Sequence, residues 1–103
     1  MSEPAAPAGL ELTWLVEATY APDAAETRAP FRAEHLAGIR RRLESGEYVE
    51  AGAFMDVSAS VILVQAESEE AALALVRDDV YLRNGVWVEV RARAFGRVTN
   101  PSS

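Results

Sequence analysis

Residues 10–20 alternate in character. Leu10, Leu12, Trp14, Val16, Ala18 and Tyr20 are apolar, while Glu11, Thr13, Leu15, Glu17 and Thr19 between them are mixed. A period of two predicts a strand with one face fully buried and the other half-polar. Ala21-Pro22-Asp23 opens a loop. From Pro30 the spacing becomes helical: Phe31, Leu36, Ile39 and Leu43 form a stripe, and His35 stands four residues from both Phe31 and Ile39. His35 is therefore expected on the buried side of a helix over 30–45, with Pro30 in its first turn and Gly46 as its stop. Residues 47–55 and 60–67 read as two strands joined by a short hairpin link, 56–59. The run Val61-Ile62-Leu63-Val64 is apolar on both faces, as a central strand would be. Ser68-Glu69-Glu70 starts a second helix, a capping hydroxyl followed by acids, running to about residue 81. After the Asn84-Gly85 turn comes a last strand, 86–98. Its pattern puts Val86, Val88, Val90, Ala92 and Ala94 on one face and Trp87, Glu89, Arg91, Arg93 and Phe95 on the other.

The order is β-α-β-β-α-β. Right-handed crossovers fold such a chain into one four-stranded antiparallel sheet with two helices on one face, an α+β, ferredoxin-like arrangement. The opposite face then carries Leu15, Trp87 and Phe95 among charged residues. It is too apolar to stay bare, so a homodimer packed sheet to sheet is expected. The domain spans 10–98. The Pro/Ala/Gly-rich residues 1–9 read as a disordered tail and 99–103 as a short C-terminal one.

Composition narrows the chemistry. Among 103 residues there are ten basic side chains, all Arg, against 16 acids, for a net charge of −6. That balance disfavours nucleic acid, leaving an RNA-binding sheet face as a remote reading. With no Cys there is no thiol nucleophile or thiolate metal site, and with one His there is no multi-histidine site, so neither metal nor other cofactor is expected. No apolar run is long enough to span a membrane. The N-terminal segment has no signal-peptide pattern, so a cytoplasmic location is expected.

One constellation carries chemistry. Asp79 follows Leu75 by four residues and Val76 by three, so it is expected on the apolar side of the second helix, near its end. In this topology the helices run antiparallel, and the early part of the first lies beside the late part of the second. His35 and Asp79 are thus expected to meet, although 44 residues separate them. A carboxylate beside imidazole fixes its tautomer and stabilises its charged form, the minimum equipment for general acid–base work. A His on an apolar stripe is also an ordinary packed side chain, and an Asp beside another Asp is ordinary surface chemistry. Arg32, three residues before His35, could clamp an anionic group. Tyr20, ending the first strand on the helix-facing side, is a further candidate for binding a substrate, near the cleft mouth. Tyr81 reads as a core anchor, and Trp14 and Trp87 as packing or dimer contacts.

Several short motifs occur in a telling order: His35-Leu36, Gly46 with Ala51-Gly52, the segment 59–64 opening the third strand, the segment 67–71, and Asp78-Asp79-Val80-Tyr81 with Asn84-Gly85-Val86-Trp87. With these the chain resembles, over roughly residues 12–96, the YciI-like (YCII-related) family of small dimeric α/β-barrel proteins. The resemblance implies a helix His and an Asp as active-site dyad, falling on His35 and Asp79, and its strand-opening Ser falls on Ser60, a candidate substrate-binding hydroxyl that also reads as an ordinary turn hydroxyl. It implies small-molecule chemistry such as dehalogenation or related lyase reactions on hydroxylated rings. Val80 departs from the family's usual Pro after this Asp. A Pro there would hold the Asp out of helical geometry; with Val80 the helix is expected to run on and turn Asp79.

The resulting expectation is a cofactor-independent enzyme in which His35 moves a proton on a small cyclic oxygenated substrate and Asp79 orients it. The alternative is a non-catalytic small-molecule-binding or accessory protein of the same fold.

Overall fold

A computed structural model describes residues 8–99. The strands are β1 (Leu10–Tyr20), β2 (Tyr48–Ala53), β3 (Ala59–Val64) and β4 (Trp87–Val98). The helices are α1 (Ala24–Thr27), α2 (Arg32–Ser45), α3 (Glu69–Arg77) and α4 (Val80–Arg83), with a 3₁₀ turn at Ala29–Phe31 ahead of α2. The sheet order is β2-β3-β1-β4, every neighbouring pair antiparallel. This is the α+β, βαββαβ arrangement expected from the sequence. The tails expected at 1–9 and 99–103 lie mostly outside the described residues. At their inner ends, Thr99 N–H donates to the Gly9 carbonyl at 3.2 Å, carrying the β1–β4 ladder outward.

Alternation in β1 does what its pattern requires. Trp14, Val16, Ala18 and Tyr20 are buried toward the helices and meet Ile62 and Val64 of β3, Ile39 of α2, and Ala72 and Val76 of α3 in one core. Gly46 ends α2 in the left-handed region, at φ 86°, where a residue without Cβ is at no cost.

Two expectations are corrected. The first concerns the face of Trp87. Strict alternation puts it on the open side of the sheet, yet it is 1 % exposed and belongs to the helix-side core, while Val88 is out in solvent. The cause is a bulge. Thr19 pairs with Glu89 but Tyr20 pairs with Trp87, so β4 holds one extra residue there and the side-chain parity reverses across it. Val86 and Trp87 are both buried as a result.

The second concerns the helix expected over 68–81. It begins as foreseen, with Ser68 Oγ accepting the Ala71 N–H at 3.1 Å. It then stops: α3 ends at Arg77, Asp78 closes it, and Asp79 is extended at φ −68°, ψ 140° before α4 begins at Val80. Asp79 caps α4, its Oδ1 accepting the Tyr81 N–H at 2.8 Å. A carboxylate is among the best N-caps, and here it fixes the extended geometry that a following Pro would otherwise impose. Val80 in place of Pro therefore does not turn Asp79 away.

No helix among the described residues is long and apolar enough to cross a membrane.

Candidate functional site

The structure brings His35 and Asp79 together. His35 is 8 % exposed, on the inner side of α2, and its Nδ1 lies 2.8 Å from both Oδ1 and Oδ2 of Asp79. The Asp79 side chain is buried to a similar degree. An ionised carboxylate only accepts hydrogen bonds, so Nδ1 carries the hydrogen in this pair. That leaves Nε2, which has no partner among the described residues. The periodicity that placed Asp79 on an apolar helix face reached the right neighbour by the wrong route, since Asp79 is a cap between two helices.

One tight turn supplies more than the carboxylate. Two residues after Asp79, Tyr81 stacks its ring on His35, with centroids 3.7 Å apart and planes 6° from parallel. Trp87 stands perpendicular to both, 5.3 Å from His35 and 5.6 Å from Tyr81. Stacking and the Asp79 bond together hold the imidazole in one orientation. Tyr81, read from the sequence as a core anchor, is that and a wall of the site as well.

His35 stands between two cavities. The larger, about 150 Å³, is lined by His35, Tyr81 and Trp87, by the Ser60–Tyr20 pair, by Arg28 and Arg32, and by aliphatic side chains of α2 and β3. A dry cavity of about 150 Å³ accepts a benzene ring, so the cleft is of single-ring size. Asp79 lines only the smaller cavity, about 80 Å³, with Tyr48, Asp78 and Arg42. The carboxylate thus sits behind the imidazole, away from the larger cleft.

Three sequence candidates besides His35 line this cleft. Ser60 Oγ donates to Tyr20 Oη at 3.0 Å, both residues being buried. Of the two hydroxyl hydrogens in this pair one is spent on the bond, and the other is left for a ligand oxygen. Arg32, at the start of α2, is exposed at the mouth. Arg28, at the end of α1, was not singled out in the sequence because its segment reads as loop; its only signal is a spacing of four from Arg32. Burial pushes the Tyr81 phenol up, nearby Tyr20 adds to the rise, and Arg28 and Arg32 pull it the other way. Both guanidiniums line the cleft together with that phenol. Trp87 Nε1 is a buried N–H without an acceptor among the described residues. Such a group costs about 1–3 kcal/mol.

Tyr48, behind Asp79, also went unnoticed in the sequence. Burial pushes its phenol from the ordinary 10.0 up to about 12, against the opposing pull of Arg42, whose guanidinium lies 5.9 Å from the ring centroid. A proton held more tightly in the fold than in the unfolded chain gives stability that is complete below the unfolded value and is lost as pH climbs through the folded one. Urea unfolding should therefore show stability falling between pH 10.0 and about 12. Tyr48→Phe should flatten that fall; an unchanged fall would place its source elsewhere.

The YCII-related domain model matches residues 12–96 of the chain. Among solved structures, the fold is similar to that of 5-chloro-2-hydroxyhydroquinone dehydrochlorinase from Burkholderia phenoliruptrix, in complex with 2,5-dihydroxybenzoquinone. The TM-score is 0.69 at 18 % identity, covering 82 % of this chain and 93 % of that one. At this identity the likeness is one of fold. No curated protein sequence matches the chain.

Proposed function

The chain belongs to the YCII-related domain family, and from that premise we propose that it is a cofactor-independent acid–base enzyme, of lyase, isomerase or dehalogenase type, acting on a small cyclic oxygenated metabolite. The observation that carries this reading is the His35–Asp79 contact at 2.8 Å behind a ring-sized cleft. With Nδ1 committed to the carboxylate, Nε2 is the nitrogen left to take a proton from a ligand. The role of Asp79 is to hold that tautomer and to stabilise the imidazolium once the proton has moved.

A substrate oxygen gains negative charge when a neighbouring C–H proton leaves. The Tyr20 hydroxyl, polarised by the Ser60 bond, and the Arg32 guanidinium are the groups to stabilise it. The electron pair left behind then either recaptures a proton elsewhere, an isomerisation, or expels a leaving group such as halide, an elimination. Neither outcome changes the overall redox state of substrate plus leaving group.

The neighbouring protein's name supplies the first compound to try. Chloride release from 5-chloro-2-hydroxyhydroquinone, followed with a chloride electrode, should exceed the rate in buffer alone. If this and other hydroxylated aromatic rings bind but none turns over, the protein is a small-molecule-binding module of the same fold.

The chain is further proposed to work in the cytoplasm as a homodimer packed sheet to sheet. Leu15, Leu63 and Phe95, the last 42 % exposed, lie on the sheet face opposite the helices, beside the Glu17–Arg91 ion pair. Covering them would remove an apolar surface from water. Sedimentation equilibrium should give twice the 11.2 kDa chain mass. A mass of one chain at micromolar concentration would contradict the dimer.

A further inference from the structure

We infer that the ring-sized cleft selects a ligand bearing an oxyanion group, and that Arg28 and Arg32 together make that selection. This rests on the cleft's being the ligand site of the reading above, and it specifies the ligand's charge.

The distribution of charge carries the inference. The protein is acidic overall, with 16 acids and ten Arg. Yet the cleft's lining includes two Arg and no carboxylate. The ion pairs among the described residues engage Arg42, Arg83, Arg91 and Arg97, and neither Arg28 nor Arg32 is among them. Both line this one cleft together with Tyr81, whose phenol both pull toward ionisation. Two guanidiniums lining one cavity, with no carboxylate partner among the described residues, repel each other, and a ligand anion held there relieves the repulsion while gaining charge-assisted hydrogen bonds. A neutral ligand would leave that repulsion in place.

Another donor borders the same space. The Ser60–Tyr20 hydroxyl pair lines it and has one hydrogen left beyond their mutual bond. The polar inventory is therefore rich in donors and positive charge. It holds no carboxylate to pair with a ligand cation. The aliphatic residues Leu36, Ile39 and Ile62 provide the apolar wall for the ring itself.

Benzoate and its neutral counterpart benzamide test this directly, as ligands of equal ring size. Each is titrated into the full chain while the tryptophan indole N–H signals are followed by NMR. Benzoate should shift the Trp87 signal saturably and bind at least about tenfold more tightly than benzamide. The Arg28→Gln/Arg32→Gln double variant should reduce benzoate to the level of benzamide. Added NaCl should weaken benzoate alone, since only its contact is between charges. Equal affinity for the two ligands, undiminished benzoate binding in the double variant, or no saturable binding of either would overturn the inference. The experiment requires no turnover. If wild-type protein prefers benzoate but turns over no ring substrate, the acid–base reading fails and the charge selection stands. If it turns over neutral ring substrates and shows no preference for benzoate, the reverse holds.

Discussion

His35→Gln should lower turnover by about 10²–10⁴-fold, the usual worth of a positioned general acid–base group. Gln is the informative replacement because it separates two jobs of the same side chain. Its amide N–H can still donate to Asp79, so the buried carboxylate keeps a partner. It has no nitrogen lone pair that can take a proton, so acid–base chemistry ends. His35→Ala loses both jobs and should also destabilise the protein by about 1–3 kcal/mol, because an acceptor 7 % exposed then faces an empty space. Turnover by His35→Gln at the wild-type rate would remove the imidazole from the mechanism. Asp79→Asn works through the ring rather than on the substrate. If the Asn oxygen keeps the Tyr81 N–H, its NH₂ faces Nδ1 and drives the hydrogen to Nε2. The ring then presents an N–H where a lone pair is needed, and activity should fall with little change in the unfolding midpoint.

Trp87→Ala should cost about 3–5 kcal/mol of stability, the range for emptying a large aromatic site in a core. For a domain of this size that lowers Tm by more than about 12 °C. Trp87 is 1 % exposed and packs edge-to-face with Tyr20, Tyr81 and His35. Its loss therefore opens the back of the site as well as the core. The result discriminates between the two faces of the sheet. Were Trp87 on the open face, its removal would weaken self-association, and the effect on Tm would shrink as protein concentration fell and the wild-type dimer itself came apart. From the core, the loss is the same at every concentration. Phe95, which does lie on the open face, should behave in the first way.

The contrast between these two aromatics shows what was legible in the sequence. Alternation located β1 to the residue, and the apolar run of β3 announced its central position. The order of elements then left one economical topology, which is the one found. Parity along β4 was not legible, because a bulge is set by how β1 and β4 pair, and pairing is not written in either strand alone. Positions after the bulge followed the alternation, so Phe95 fell correctly; Trp87, before it, did not. The break at Asp79 was hidden for a related reason. Val80-Tyr81-Leu82-Arg83 is good helix sequence, and Asp78-Asp79 reads equally well as a helix end or a new cap. His35 was legible because its spacing from Phe31 and Ile39 is a local fact. Ser60 and Tyr20, chosen separately, are bonded to each other across β1 and β3. Arg28 and Tyr48 were not legible, since their importance comes from the cavities they border, and cavities are made by elements distant in sequence.

The central claim is that Asp79 holds His35 as a single tautomer with Nε2 bare. Because the chain has one His, side-chain ¹⁵N shifts of His35 report on it without ambiguity. In the wild-type protein the neutral ring should be protonated at Nδ1, and in Asp79→Asn the hydrogen should move toward Nε2. A neutral ring protonated at Nε2 in the wild type, or a tautomer indifferent to Asp79→Asn, would contradict the claim.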